Sequence, residues 1–387
     1  MIQRGFRYRL YPTAEQEVLM ERTANAVRFV YNLALEQRRD FFRQARAGGL
    51  HFNYATQGRE VTQLRKECEW LAAVSADCLT AALVNLDAAF QRFYRGSGYP
   101  RFKSKRDPLK FRNKGRELRF IELSRKWSLI RIPKIGLVKM RVTREWRGRI
   151  VSATFSRDAI GWHVSLGCEI DHEAPNNDMP SIGIDRGVAN TLALSNGELY
   201  STPELAHLER RKKRAQRILA RRKRGSARYL KQRVRLSRIT AKITRCRSHW
   251  RHEATTGLAR RFGVVAIEAL RTANMITRGA GKRGLNRSIL EQGWTGIERD
   301  LAYKLEERGG TLIKVNPAYT SQECSACGTI DKASRESQAS FACRHCGFAA
   351  HADTNAAINI LRRSTAGVEG AGCGPVEART NHARLAA

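Results

Sequence analysis

Four cysteines in two closely spaced pairs form the clearest chemical motif of the sequence. Cys324 and Cys327 make one Cys-x2-Cys pair, and after fifteen intervening residues Cys343 and Cys346 make a second. Each pair forms a tight knuckle with both thiolates on one side of a turn, and two knuckles supply the tetrahedral sulfur site that zinc prefers. Because four thiolates leave no open coordination position, we predict one structural zinc ion. A disulfide and a redox pair are the alternatives.

Three carboxylates lie at the ends of apolar segments. Asp185 ends the run SIGID, Glu268 ends the run VVAIE, and Asp353 opens a helix soon after the second cysteine pair. Two strand-end acids and one helix-start acid can meet at one edge of a mixed sheet, where hard cations relieve their repulsion, with Mg²⁺ the default ion. Two such ions about 4 Å apart clamp a phosphodiester, one activating water and the other stabilising the leaving 3′ oxygen. We therefore predict that these three catalytic acids bind magnesium, with Asp185 bridging two ions.

Each of these acids alone has a simpler interpretation. A carboxylate at a strand end often caps a helix or forms a turn. The pattern Gly-Ile-Asp-x-Gly also occurs in actin-like ATPases, where it contacts phosphate. The combination of three acids, rather than any single one, favours a phosphodiester substrate.

The charge of the chain indicates a polyanionic partner. Its 387 residues include 71 Lys and Arg against 36 Asp and Glu, a formal net charge of +35, and closely spaced phosphates reward basic surfaces through counterion release. Residues 210–251 hold nineteen Lys or Arg and no acid, with apolar positions at helical spacing and a break at Gly225-Ser226. We predict two helices that contact nucleic acid, and a merely solvated face is the alternative.

A second basic patch, residues 99–116, mixes aromatic side chains with Lys and Arg. The residues predicted to contact nucleic acid in the two segments are Arg101, Lys103, Lys105, Lys110, Lys212, Lys213, Arg214, Arg221, Arg222, Lys223, Arg224 and Arg228.

The elements that must position these residues change character along the chain. Residues 5–11 alternate like a strand, the segment from residue 13 and residues 75–94 show helical stripes, and residues 117–170 contain the short alternating stretches of a small antiparallel sheet or barrel, which the first strand can join. After a polar linker at 171–180, apolar strands alternate with helices. The fold class we expect is multidomain, with α+β and α/β parts.

The sequence has no apolar run near the roughly 20 residues that a membrane span needs, and its N-terminus lacks the apolar region of a signal peptide. We therefore expect a cytoplasmic protein that does not bind membranes. Cysteines in that compartment bind metal or stay as thiols rather than forming disulfides.

Taken together, these segments resemble the TnpB family, RNA-guided nucleases of bacterial insertion sequences that are related to type V CRISPR effectors. The resemblance runs from residue 6 to residue 363 in the family's order. The matching segments are FRYRLYPTAEQ, RFVYNLAL, YPRFKSK, GIDRGVANTLALSNG, RRKKRAQRILARRKRGSARY, VVAIEAL, VNPAYTSQECSACG, RESQASFACRHCGF and HADTNAAINILRR.

The resemblance implies a domain layout. Residues 1–12 and 100–170 look like a wedge β-barrel domain, and residues 13–99 look like a helical recognition lobe inserted into it. Residues 181–319 and 350–363 look like an RNase H-like (RuvC) nuclease domain, into which residues 320–349 are inserted as a zinc ribbon. Residues 364–387 are expected to form a disordered tail.

The resemblance also implies an activity and its partners. The family's acid positions fall on Asp185, Glu268 and Asp353, and Arg335 matches an arginine expected to approach the scissile strand as a further catalytic residue. The implied function is cleavage of double-stranded DNA next to a short flanking motif, by a monomer bound to one guide RNA from the transposon end. Asp185, Glu268 and Asp353 would hold the catalytic Mg²⁺, and the ribbon would hold the structural Zn²⁺.

Two alternatives belong to other functional classes. A catalytically silent relative would bind guide RNA and target DNA as a repressor, but such relatives lose one or more of the acids. A transposase that performs strand transfer would need a different acid spacing or a nucleophilic tyrosine.

Overall fold

The computed structural model describes residues 1–44, 53–270, 272–276 and 282–369. The chain divides into two compact units, one made of Met1–Glu173 with Ala215–Ala241, and the other of Ala174–Arg214 with the chain from Lys242 onward. None of the helices in the described ranges is both long enough and apolar enough to cross a membrane.

The first unit contains a seven-stranded antiparallel sheet. Its strands are β1 (Ile2–Tyr11), β2 (Lys110–Lys114), β3 (Arg119–Ser124), β4 (Trp127–Ile132), β5 (Gly136–Arg141), β6 (Arg149–Asp158) and β7 (Gly161–Ile170). Their order is β2-β6-β7-β1-β5-β4-β3, so the first strand joins the sheet between β7 and β5, as the alternation of residues 5–11 suggested. The outer strands β2 and β3 do not pair with each other among the described residues. Of the two arrangements that the sequence left open, a small antiparallel sheet or a barrel, the structure has a curled antiparallel sheet.

The helices described between β1 and β2 pack on this sheet and on one another, with α1 and α4 in contact with β2. They are α1 (Ala14–Gln44), α2 (Tyr54–Glu67), α3 (Glu69–Ala72) and α4 (Ala76–Tyr94). The predicted apolar stripe of α4 is buried at Leu79, Leu83, Leu86 and Phe90, in one core with α1 and the strands. Side chains three and four residues apart share a helix face, which is why this stripe is continuous.

The second unit is built on a five-stranded mixed sheet. Its strands are β8 (Ser181–Asp185), β9 (Leu192–Leu194), β10 (Leu199–Tyr200), β11 (Val264–Glu268) and β12 (Thr311–Val315). The order is β10-β9-β8-β11-β12, in which β8, β11 and β12 run parallel while β9 and β10 are antiparallel. This arrangement makes β8 and β11 neighbouring strands whose carboxyl ends lie at the same edge.

Helices cover both faces of this sheet. Those described after β10 are α5 (Ala206–Ala220), α6 (Ala227–Arg261), α7 (Thr272–Met275), α8 (Arg283–Gln292), α9 (Trp294–Glu306) and α10 (Ala352–Glu369), and α5 and α6 each contribute residues to both units. Ile184 and Ile267 point to the core that contains residues of α6 and α9. Ala266, the residue before Ile267 on β11, packs with Ile360 of α10 on the other face.

Helix α10 continues beyond the point where the sequence predicted a disordered tail. It extends to Glu369, six residues past the expected end at residue 363. Ser364, the first residue of the expected tail, is buried, and its hydroxyl donates to the carbonyl of Leu361 within the helix. The rest of the predicted tail, residues 370–387, lies outside the described residues.

Candidate metal centres

The carboxyl ends of β8 and β11 bring the first two predicted acids together. The parallel ladder pairs Ile184 with Ile267, so the next residue on each strand is Asp185 and Glu268, respectively. Adjacent parallel strands are about 4.8 Å apart. Two acids at the same level of neighbouring strands therefore share one site, as the sequence predicted from their strand-end positions.

The third acid reaches this edge because α10 packs very closely against β8. A Cβ atom on Gly183 would lie 2.1 Å from the carbonyl oxygen of Ala357, a contact that no side chain tolerates. Only glycine permits this approach of the helix to the strand. Asp353, in the first turn of α10, is 5% exposed, and its Oδ2 accepts a hydrogen bond from Asn190 in the loop after β8.

Burial and mutual repulsion both act on the carboxyl groups of this cluster. Burial first, and then the negative charges of Glu268 and Asp353, raise the pKa of Asp185 to about 7. Burial also raises the pKa of Glu268, against the opposing effects of a hydrogen bond from Thr320 and the charge of Arg186. Oxygen ligands in this electrostatic state suit a hard divalent cation, which removes the repulsion on binding.

Each acid is also held by a donor that the sequence did not reveal. The backbone N–H of Arg186 donates to Oδ1 of Asp185 at 2.8 Å, and the hydroxyl of Thr320 donates to Oε1 of Glu268 at 2.6 Å. Thr320 lies 52 residues from Glu268, in a segment that the sequence assigned to the ribbon. A threonine before a cysteine motif has no local pattern that would mark it as a partner of a distant acid.

Two asparagines of α10 hold the segment that contains Thr320. Asn355 and Asn359 are fully buried and donate to the carbonyl of Glu323, and Asn359 also donates to that of Thr320. The helix that carries Asp353 thus also positions the donor to Glu268. The sequence indicates such a role for the two asparagines only weakly, because they are two amides four residues apart on an otherwise apolar helix face.

Arg335, which the family resemblance implied to approach the scissile strand, lies beside Asp353. Its NH2 group is 3.4 Å from Oδ1 of Asp353, and its charge opposes the rise in the pKa of Asp185. The side chain is about one quarter exposed, so the guanidinium group can reach solvent as well as the acids.

The four cysteines form a second centre. Their Sγ atoms all lie within 4.8 Å of one another, and two of the separations, Cys324 to Cys346 and Cys327 to Cys343, are 3.7 Å. A disulfide would need about 2.05 Å, whereas a tetrahedral ion with metal–sulfur bonds of about 2.3 Å has sulfur–sulfur edges of about 3.8 Å. This four-cysteine cluster could therefore hold a metal ion.

Both knuckles repeat the same backbone pattern. Gly328 and Gly347 have φ angles of 76° and 74°, and each donates its N–H to the carbonyl of the first cysteine of its pair. The positive φ angle explains why glycine follows each second cysteine. The second knuckle lies between the two strands of a short hairpin, β13 (Ser340–Ala342) and β14 (Ala349–His351), and β14 leads without a break into α10. The cysteine centre therefore lies at the entry to the helix that carries Asp353.

The predicted nucleic-acid residues differ in exposure. The connection between α5 and α6 contains the predicted break, with Gly225 at a φ angle of 84°, and the four basic side chains before it, at 221–224, are exposed. Arg101, Lys105 and Lys110 are exposed as well. Lys103 is not, since its ammonium group lies 3.5 Å from the ring centre of Tyr31 and burial lowers its pKa to about 8. Lys212 pairs with Glu209 at 3.3 Å.

Known protein families match three segments of the chain. Residues 294–360 match a family described as "Cas12f1-like, TNB domain", residues 165–279 one described as "Probable transposase", and residues 1–46 one described as "Helix-turn-helix domain". Over the whole chain, InsQ of Escherichia coli (strain K12), whose name is that of an RNA-guided DNA endonuclease, is 34% identical over 374 residues, 92% of this chain and 91% of the relative. This chain belongs to the TnpB family.

A second TnpB relative and a solved structure agree with this assignment. A protein of Streptomyces pristinaespiralis with the name of an RNA-guided DNA endonuclease is 32% identical over 382 residues, 96% of this chain and 91% of the relative. The cryo-EM structure of a Cas12f1–sgRNA–target DNA complex has the same fold, with a TM-score of 0.61 at 17% identity over 90% of this chain and 83% of that chain. The described part of the N-terminal match, residues 1–44, is one strand and one helix rather than a helix-turn-helix.

Proposed function

We propose that this TnpB-family chain is an RNA-guided endonuclease that cuts double-stranded DNA by metal-dependent hydrolysis of phosphodiesters. The observation that carries the proposal is the meeting of Asp185, Glu268 and Asp353 at one sheet edge, where burial, and then the charges of the other two acids, raise the pKa of Asp185 to about 7. The names of the relatives support the reaction class. The proposed nuclease domain is of the RuvC type and consists of residues 181–319 and 350–363.

The oxygen donors of the acid site fit magnesium. Asp185, Glu268 and Asp353 would hold the ions, and Mg²⁺, when bound, would activate a water molecule and stabilise the leaving 3′ oxygen. The protein itself supplies orientation. The backbone N–H of Arg186 donates to one oxygen of Asp185, and the hydroxyl of Thr320 donates to one oxygen of Glu268. The second oxygen of each carboxylate can therefore serve as a ligand.

Arg335 is the proposed protein group closest to the reacting phosphate. It already lies 3.4 Å from Asp353 and is partly exposed. A guanidinium group in this position can leave the carboxylate for a phosphate group, to two of whose oxygens it can donate parallel hydrogen bonds. We propose that it binds the scissile strand.

The proposed metal of the cysteine centre is one structural zinc ion, because four thiolates at tetrahedral spacing leave no position for a substrate. Zinc bound there would fix the start of α10 and so the position of Asp353.

The proposed partners are a guide RNA from the transposon end and the target duplex. The solved Cas12f1 complex contains an sgRNA and target DNA, and the net charge of +35 and the exposed basic residues at 221–224 support the same partners here. Base pairing with the guide would select the target, while the protein holds backbone phosphates. Residues 1–12 with 100–170 (wedge) and 13–99 (recognition lobe) would hold the duplex and read the flanking motif, in a monomer that acts in the cytoplasm.

A guide-dependent repressor without nuclease activity is the alternative. It would need no acid cluster, whereas three largely buried acids at one edge cost free energy that a bound catalytic cation would offset. The intact set therefore favours cleavage.

The test uses the purified full-length chain with the RNA that copurifies with it, sequenced to define a matching duplex target. With Mg²⁺, the wild-type complex should cut the target, and Asp185→Ala should abolish cutting while RNA binding is retained. The matched control is Asp178→Ala, which removes an exposed acid a few residues before β8 and should leave cleavage unchanged.

Two outcomes would count against the proposal. Full cleavage by Asp185→Ala would mean that the acid site is wrong. If the wild-type complex binds its target but does not cleave it with any of the divalent cations tested, that result would favour the repressor.

A further inference from the structure

Arg186 is a buried arginine directly after the first acid. Its side chain is 1% exposed. One nitrogen, NH2, donates to the backbone carbonyl of Glu268, and NH1 lies 3.5 Å from Oε2 of Glu298 on α9. The remaining nitrogen, Nε, is buried without a partner. Burying a guanidinium group costs desolvation free energy, and here the group is buried directly beside the three acids.

The backbone ladder between β8 and β11 stops one residue before the acids. Its last pair is Ile184 with Ile267. Beyond that pair, the next link between the two strands is the side chain of Arg186, which bonds to the carbonyl of Glu268. The arginine therefore ties together the two main chains at the level of Asp185 and Glu268, where no main-chain bond of the ladder does so.

Glu298 anchors the other side of the guanidinium group, and α9 is itself firmly held. The second oxygen of Glu298 pairs with Lys314 of β12. Two residues further along α9, the buried Asp300 bonds to Arg251 of α6 at 2.6 Å. Arg186 thus connects the acid edge to a fixed part of the sheet and helix layer.

We propose that Arg186 is a positioning residue of the acid site, which sets the spacing of the Asp185 and Glu268 backbones and thereby the preference of the site for Mg²⁺. This inference rests on the proposed metal-dependent function. Mg²⁺ requires nearly ideal octahedral geometry, whereas the larger Ca²⁺ accepts irregular ligand sets. Loosening the link between the strands therefore weakens Mg²⁺ binding more than Ca²⁺ binding.

The substitution Arg186→Met removes the link and leaves its partners satisfied. The carbonyl of Glu268 still accepts the N–H of Leu270 at 2.9 Å, and Glu298 keeps Lys314. The fold is therefore expected to survive. Arg186→Lys keeps a charge and one donor but cannot reach both partners as a planar group does, so it should be intermediate.

The experiment measures the rise in melting temperature of the RNA-free full chain as Mg²⁺ or Ca²⁺ is titrated, with Asp185→Ala defining the response that does not come from the acid site. In Arg186→Met, the apparent affinity for Mg²⁺ should fall on the order of tenfold, and that for Ca²⁺ by about threefold or less. Arg186→Lys should show a smaller change of the same sign. In guide-loaded complexes the Mg²⁺ concentration for half-maximal cleavage should rise in parallel.

The matched control is Arg38→Met, which removes an equally buried arginine of the first unit, bonded to Gln57 and Asp87. It should lower the melting temperature without altering the ratio of Mg²⁺ to Ca²⁺ affinity. An unchanged ratio in Arg186→Met, or in Arg186→Lys if the methionine variant does not fold, overturns the inference. If the wild-type chain responds to Mg²⁺ no more than Asp185→Ala does, the proposed metal site itself fails.

Discussion

Two features of Asp185 disfavour the ionised form of its carboxyl group, because the group is buried and two further acids lie beside it. The folded-state pKa of about 7 lies well above the ordinary value of 3.8. The favourable contribution of this group to folding is therefore fully present below about pH 4 and is lost as the pH rises through 7. A divalent cation reverses that loss by stabilising the ionised form.

Asp185→Asn should abolish this pH dependence, because an amide does not ionise. In the presence of a chelator, the free energy of unfolding of the variant relative to wild type should increase by roughly 3 kcal/mol from pH 5 to pH 8 and then level off. Denaturant unfolding at each pH measures the difference. Asp178→Asn is the control and should show no such trend. A constant offset at every pH would contradict the assigned shift.

The cysteine centre and α10 act as one element, because β14 passes directly into the helix and the carbonyl of Ala339 accepts the N–H of Ala352. Removal of the proposed zinc ion should therefore shift the position of Asp353, although this acid lies several residues along the chain from the nearest thiolate.

Cys343→Ser tests this connection. Metal analysis should find about one zinc ion per chain in the wild type and a loss of it in the variant. Cleavage should fall by about tenfold or more, because Asp353 is no longer fixed. Cys246→Ser, which changes a thiol on α6 outside the cluster, is the control and should keep its zinc. Equal melting curves with and without a strong chelator would argue against a structural metal.

The basic connection between α5 and α6 presents exposed charge without acidic neighbours in sequence. In Lys223→Gln/Arg224→Gln, the affinity for the copurifying RNA should fall, and the slope of log K against log salt should decrease by roughly 1.5, as expected when two phosphate contacts are lost. Arg125→Gln/Lys126→Gln, in the turn between β3 and β4, removes the same charge elsewhere and should change the slope less. Identical slopes for both variants and wild type would favour a solvated face.

The whole molecule carries a net charge of +35, which opposes compaction when no polyanion is bound. The melting temperature of the RNA-free chain should therefore rise as NaCl is increased from low to moderate concentration, because salt screens the repulsion. Bound RNA should raise the melting temperature most at low salt, and this increment should shrink as salt weakens RNA binding. Parallel salt trends for the free and bound chain would show that the charge does not govern stability.

The sequence by itself determined the features that depend on neighbours along the chain. The spacing of Cys324, Cys327, Cys343 and Cys346 predicted their cluster, and the helical stripe predicted the buried face of α4. Gly225 predicted the break between two basic helices. Such features follow from local geometry, because a knuckle, a helix face and a turn each require particular residues within a few positions of one another.

Only the tertiary structure decided which distant groups serve the acids. The hydrogen bond from Thr320 to Glu268 joins residues 52 positions apart, and the link from Arg186 to Glu268 joins residues 82 positions apart. The same holds for Gly183, whose missing side chain lets α10 approach β8. These contacts depend on strand order and helix docking, which arise from the burial of whole faces, so no short pattern encodes them.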